Sequence, residues 1–270
     1  MMRMKKSFLY GITLAAVFVG FSMMAGEAFS APEKTNQMAK KAKRGKLEAK
    51  AEGFEEVDLF AAIAEGKLDA GVIQKGMKDG MLFIENKSDK PLSVSVPQTF
   101  GTRPILGQNT FNQRTNNQNQ QLFGSGGQNG MMGGGGRGMF NIPPEKVISM
   151  PYESLCLEYG KPVPTSASNY EIVSMDEVTD KEEVKQLCLL IGTVDHSALQ
   201  FAAWHMNSGT SVEKLAAETI LRAGRRIPYF SQQQIQIGLA AVQRSKLMAQ
   251  QVSSAEAAKA SVASPGEAQN

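Results

Sequence analysis

In Leu92-Ser93-Val94-Ser95-Val96 apolar and polar residues alternate strictly, which sends Leu92, Val94 and Val96 to one face of a pleated sheet and both serines to the other. A helix cannot gather those three side chains on one face, so the stretch is a half-buried strand. The preceding run Met81-Leu82-Phe83-Ile84 is apolar throughout, and Asn86-Lys87-Ser88-Asp89-Lys90-Pro91 is turn chemistry. Residues 81–86 and 92–96 therefore predict a hairpin, and with it an antiparallel sheet. So short a hairpin is not stable alone in water and requires further strands or a helix over its apolar face.

Residues 1–30 have the composition of an export signal. Arg3, Lys5 and Lys6 open the segment, residues 8–24 are apolar apart from small or weakly polar positions, and Ala28-Phe29-Ser30 supplies small residues for a signal peptidase. Cleavage is expected before Ala31, giving an exported protein, periplasmic or secreted. An uncleaved anchor is the alternative, although the run is at the short limit for a bilayer span. No cysteine follows it, so a lipoprotein is not expected. The formal net charge of +3 falls to +1 once Arg3, Lys5, Lys6 and Glu27 leave, and this near-neutral balance argues against nucleic acid as a partner.

After the signal, residues 31–56 form a basic arm in which Lys40, Lys41, Lys43, Arg44 and Lys46 crowd together without interleaved aromatics. Such runs are usually solvated and disordered. A weak attraction to an anionic membrane surface is the sharper reading, worth about 1 kcal/mol per basic residue close to the surface; Glu48, Glu52, Glu55 and Glu56 oppose it.

Val57, Phe60, Ala61 and Ala64 share one face of a short helix that Gly66 stops, and residues 68–72 alternate as a strand leading through a glycine loop into residue 81. A three-stranded meander is the expected result. The composition then changes abruptly. Over residues 107–141 Asn, Gln and Gly dominate, which predicts a disordered insert between strands. It lacks the spacing of a phosphate-binding loop. Its apolar side chains, Phe111, Leu122, Phe123, Met131, Met132, Met139 and Phe140, are candidate contact points for a partner. Strand signals resume over residues 147–157, with Pro151 marking an edge or a bulge, and again over residues 170–175. Together these strands fit a small sandwich over residues 57–175.

Residues 176–250 are helical in texture. Val184, Leu187, Cys188 and Ile191 form a buried stripe; Ser197 opens a second helix carrying Leu199, Ala203, Trp204 and Met206, which Asn207-Ser208-Gly209 ends. A third is expected through Ile220 and a fourth after Ser231, while residues 251–270, rich in Ala, Ser and Glu, are expected to fray.

Few residues offer chemistry. His196 and His205 lack the i, i+4 spacing of a shared metal, and no metal or other cofactor is expected. A nucleophile would have to be Cys156, near His205 with Asn207 to orient it, yet Leu155 and Leu157 flank the thiol and an apolar setting raises its pKa. Gly-x-Ser-x-Gly is absent. Cys156 and Cys188 are either a disulfide, closing a loop of about 32 residues worth roughly 3 to 4 kcal/mol, or two buried thiols.

Two stretches carry a resemblance. Residues 84–97, ending Pro91-Leu92-Ser93-Val94-Ser95-Val96-Pro97, and then Ser154-Leu155-Cys156-Leu157-Glu158-Tyr159-Gly160-Lys161-Pro162-Val163-Pro164, separated by a glycine-rich insert and followed by Leu199-Gln200-Phe201-Ala202-Ala203-Trp204-His205, resemble a group of uncharacterised exported bacterial proteins. The resemblance implies an α+β architecture, an N-terminal antiparallel immunoglobulin-like β-sandwich followed by a small C-terminal helical domain, and it implies no activity and no catalytic residues. The expected function is that of a non-enzymatic cell-envelope protein, a structural or interaction module whose partner is another envelope protein or a cell-wall component. The competing expectation is an enzyme or small-ligand binder with its site between sandwich and helices, near Cys156, Trp204 and His205.

Overall fold

The computed structural model describes residues 31–105, 122–125, 139–167 and 169–263. The chain is a mixed α+β structure in which two curved sheets share a core and a set of helices closes one end. The expected export signal lies outside the described residues, as do most of residues 107–141.

The first surprise is the arm. Ala31–Lys41 is a helix, α1, followed by two very short strands, β1 (Lys43–Arg44) and β2 (Leu47–Glu48). Met38 on α1 is 3% exposed and packs with Phe83 and Val147. The lysines that suggested disorder stand on the outer face, so a solvated charge run coexists with an anchored inner one. Beneath α1 the chain needs a glycine: a Cβ on Gly71 would lie 2.6 Å from Thr35 Oγ1.

Glu55–Asp58 forms β3, and the Asp58 carboxylate then accepts from the amides of Phe60 and Ala61 to start α2, Leu59–Ala64. β4 (Leu68–Gln74) and β5 (Asp79–Asn86) follow as an antiparallel pair. β6, Leu92–Ser95, forms where the sequence predicts a strand, with Leu92 and Val94 at 0% exposure, but it is not half-buried as expected: Ser93 is also fully buried, its hydroxyl donating to Asn141 Oδ1 at 2.6 Å. The expected hairpin between β5 and β6 is not formed. β5 pairs with β4 and with the later strand β10 (Val147–Cys156), whereas β6 pairs with β3 and with β9 (Met139–Ile142).

Asn86 is the reason. Fully buried, it donates from Nδ2 to the carbonyls of Lys90 (2.7 Å) and Ile142 (2.9 Å), accepts the Ser88 amide on Oδ1 (2.9 Å), and exchanges backbone bonds with Lys146 and Glu145. The turn is thereby bent across to the second sheet instead of folding back along the first. The result is an arch from sheet to sheet, and the expected meander stops at two strands.

The larger sheet runs β1-β10-β5-β4-β11-β7-β8, with β7 at Thr99–Pro104, β8 at Leu122–Ser125 and β11 at Asn169–Val173; the smaller runs β2-β9-β6-β3. β8 pairs both with β7 and with the end of β10, so the larger sheet curls back on itself as a half-barrel. Two of the pairings, β1 with β10 and β3 with β6, are parallel, which corrects the expectation of a purely antiparallel sandwich. Both sheets contribute to one buried cluster that includes Leu82, Ile84, Leu92, Val94, Phe100, Phe140, Ile142 and Met150. Pro151 lies inside β10 at a harmless place. Ser149 O accepts the Gly45 amide, so position 151 points the same way, into the gap between the partners of residues 148–149 and 153–156.

The helices are α3 (Glu182–Cys188), α4 (His196–Ser208), α5 (Val212–Ala217) and α6 (Gln232–Ala263). Asp195, rather than Ser197, caps α4, and Gly209 ends it at φ 65°. α5 stops three residues before the expected Ile220, and a small hairpin of β12 (Thr219–Arg222) and β13 (Arg225–Pro228) takes its place. α6 runs well past residue 250, so the expected fraying tail is helical as far as Ala263. Among the described residues no helix is long and apolar enough to cross a membrane. Nor are the helices a separate unit. Leu155 and Leu157 pack with Val184, Leu187, Leu199 and Val242, while Phe201, Trp204 and Phe230 join the cluster of the sheets.

Candidate functional site

The residues singled out for possible chemistry converge where β10 meets α4. Beyond Glu153 the edge of β10 that faced β5 has no further strand, because β5 begins at Asp79. Its backbone polar groups would be buried and unpaired, at a cost of about 1 to 3 kcal/mol each. α4 supplies the partners instead. His196 Nε2–H donates to the Ser154 carbonyl at 2.8 Å. Gln200 acts as a substitute strand: its Oε1 accepts the Cys156 amide at 2.9 Å and its Nε2 donates to the Cys156 carbonyl at 2.7 Å. Asn207 and Ser208 then donate to the Leu157 carbonyl at 3.0 and 2.8 Å, and Ser208 Oγ accepts the Tyr159 amide at 2.9 Å. Residues 196, 200 and 207 recur near whole helical turns, so one stripe of α4 reads along the strand.

Two further networks complete the surroundings. Buried Gln74 accepts the Tyr152 hydroxyl at 2.6 Å and donates to Ser154 Oγ at 2.7 Å. On the next face of α4, Trp204 is wrapped by rings: Tyr159 at 5.3 Å, Tyr229 at 5.7 Å and Phe230 at 5.9 Å between centroids. Lys214 Nζ sits 4.9 Å from the Tyr159 ring centre, and the Tyr159 hydroxyl donates to Glu218.

This geometry bears directly on the nucleophile. Cys156 is fully buried, and burial pushes its thiol up to about 12, with the Glu158 carboxylate adding to the effect. It is protonated at neutral pH. His205 Nδ1–H donates to the Thr210 carbonyl at 2.9 Å, closing the turn after α4, and its ring stacks on Phe201. Asn207 is committed to Leu157. Cys156 and Cys188 are both free thiols, in separate clusters; Cys188 Sγ donates to the Val184 carbonyl at 3.2 Å, and burial holds its pKa well above the ordinary 9.0. No group of three His, Cys, Asp or Glu able to hold a metal exists among the described residues. Two buried polar atoms lack a hydrogen-bond partner among the described residues: Asp69 Oδ2, which faces the Lys34 ammonium in an ion pair, and the indole N–H of Trp204, which has no acceptor.

The apolar contact points proposed for the insert divide differently from expectation. Phe111, Met131 and Met132 lie outside the described residues. Leu122 and Phe123 belong to β8, and Met139 and Phe140 to β9. Phe140 is 1% exposed in the core between the sheets, which removes it as a surface contact; its pairing with Val94 and Leu47 buries it. Alternation in Met139-Phe140-Asn141-Ile142 was the signal for that strand, hidden by the glycines before it. A shallow open groove of about 470 Å³ between α3 and α6 is lined by Glu182, Glu183, Lys246, Ala249, Gln250 and Ser253. Its mixed charges define no ligand.

No protein-family profile, no curated protein and no solved structure matches this chain.

Proposed function

We propose that this is an exported, non-enzymatic protein of the cell envelope, a rigid module that presents its Asn/Gln/Gly-rich segments to a partner in the envelope or cell wall. The observation that carries the reading is the way those segments are tethered. Residues 106–121 leave from β7 and return at β8, and residues 126–138 run from β8 to β9, so all four ends are held by strands of the two sheets. A scaffold that fixes the ends of two polar segments suits recognition. The immunoglobulin-like kinship belongs to the same proposal and is supported only by two sheets sharing a core. Affinity capture from a native envelope extract tests it. Replacing residues 106–121 and 126–138 by short linkers, with β8 kept, should abolish capture of a specific protein or glycan that the intact chain retains. Equal capture by both forms rejects the segments as the contact surface.

A small-ligand site is the second reading, and the unpaired indole N–H of Trp204 favours it. The chain has 1 tryptophan, so its emission reports that position alone. Under this reading a ligand with an acceptor group shifts the emission in a screen, and Trp204→Phe removes the binding.

A further inference from the structure

The β12–β13 hairpin stands out from the surface, and its end carries an unusual set of side chains. Residues 221–226, Leu-Arg-Ala-Gly-Arg-Arg, are all exposed, with Leu221 at 74%. Ala223 (φ 48°) and Gly224 (φ 76°) both occupy the left-handed region, as a tight two-residue hairpin turn demands, and they leave the tip without a polar side chain. The register places Arg222 directly opposite Arg225, and Leu221 opposite Arg226. Like charges opposed across a strand pair repel. Yet among the described residues none of the three arginines pairs with a carboxylate; Arg226 reaches only the Thr219 hydroxyl. The nearest acid in sequence, Glu218, is taken by Tyr159.

The base of the hairpin is firm. Tyr229 N–H donates to the Glu218 carbonyl at 2.8 Å, Ile220 faces Ile227 as a half-buried pair, and the adjoining Tyr229 and Phe230 pack on Trp204. A rigid stem thus carries a cationic end with a small apolar tip and one bare leucine.

The geometry points to this hairpin end as a membrane-surface anchor that enters the headgroup layer of anionic phospholipids, its arginines on the phosphates and Leu221 in the acyl boundary. Arginines stand on both faces of the ribbon, Arg222 and Arg225 on one and Arg226 with Leu221 on the other. A protein partner laid against one face reaches only part of the set. A headgroup layer entered tip first surrounds all of it, and it alone offers phosphates and an apolar interior within one side-chain length. Nucleic acid supplies phosphates without an apolar layer for Leu221. The inference deepens the envelope reading and rests on it for the presence of such a membrane. Its test uses purified components, so vesicle binding and segment-dependent capture can each fail while the other holds.

The experiment uses the protein from Ala31, which contains every described element, with vesicles of equal parts phosphatidylcholine and phosphatidylglycerol, vesicles of phosphatidylcholine alone, and immobilised heparin as a generic polyanion. Binding to the anionic vesicles is expected, weakened by salt and absent on neutral ones. Arg222→Gln with Arg225→Gln should lower partitioning by about tenfold or more and Leu221→Ser by about fivefold, each with an unchanged circular dichroism spectrum. No vesicle binding, equal binding by the arginine variant, or loss only on neutralising Lys40, Lys41 and Lys43 in the N-terminal segment would overturn the proposal. So would heparin retention stronger than vesicle binding and indifferent to Leu221→Ser, which would assign the arginines to an acidic macromolecule.

Discussion

Gln200 and Asn86 each spend a whole amide side chain on backbone that would otherwise be buried without partners. Gln200 satisfies both polar groups of Cys156, and Asn86 ties the turn after β5 to Ile142 of the other sheet. Replacing either with alanine strands buried backbone groups that it serves and should destabilise the protein by about 2 to 4 kcal/mol in urea unfolding; Ser88→Ala, at a half-buried turn position whose backbone amide keeps its bond to Asn86 Oδ1, should cost less. The Cys156 thiol makes a second prediction. It ionises near 9.0 when exposed by unfolding and is held protonated up to about 12 in the fold. Because the raised value belongs to the folded state, its contribution is complete below pH 9.0 and is lost as pH rises toward about 12. Cys156→Ala should flatten part of the alkaline loss of stability. Thiol reagents at neutral pH should leave the native protein unlabelled and, in denaturant without reductant, modify both of its 2 cysteines; no reaction on unfolding would reveal a disulfide.

Among the elements, α1 shows most clearly how charge and burial separate on one helix. Its lysines are exposed, Lys34 pairs with Asp69, and Met38 is set between Phe83 and Val147. Met38→Asp should release α1, at a cost of about 2 to 5 kcal/mol, and open residues 31–41 to limited proteolysis while the sheets stay protected. A lysine-rich composition obscured this helix because one buried methionine and one close approach to Gly71 are enough to dock it. β6 was legible for the opposite reason: its alternation is a local pattern with a single physical solution. β8 and β9 were not, since four residues bounded by Gln, Gly or Pro pairs and glycine-rich sequence become strands only when a neighbouring edge is waiting. The aromatic seam around Trp204 was half legible. His205 and Trp204 drew attention by type, whereas Gln200, which organises the junction, looks like any other polar residue of a helix.

Over the whole molecule, β10 belongs to two cores. Ile148, Met150, Tyr152 and Cys156 pack with the cluster of the sheets, while Leu155, with Leu157 just beyond the strand, packs among the helices, so neither part has a complete core without the other. Thermal unfolding followed by tryptophan emission, which reports the junction, and by far-ultraviolet circular dichroism, which reports the helices, should give coincident transitions; two separated transitions would show that the helices fold alone. The chain's own pattern settled an α+β composition, the strand over residues 92–95, the glycine stop of α4 and the burial of a thiol between leucines, because each follows from contacts within a few residues. Pairing was decided only in three dimensions. Which edge a strand joins depends on the partners that other strands leave open, and a turn such as 86–91 becomes an arch or a hairpin according to whether a distant carbonyl, here that of Ile142, is there to receive Asn86.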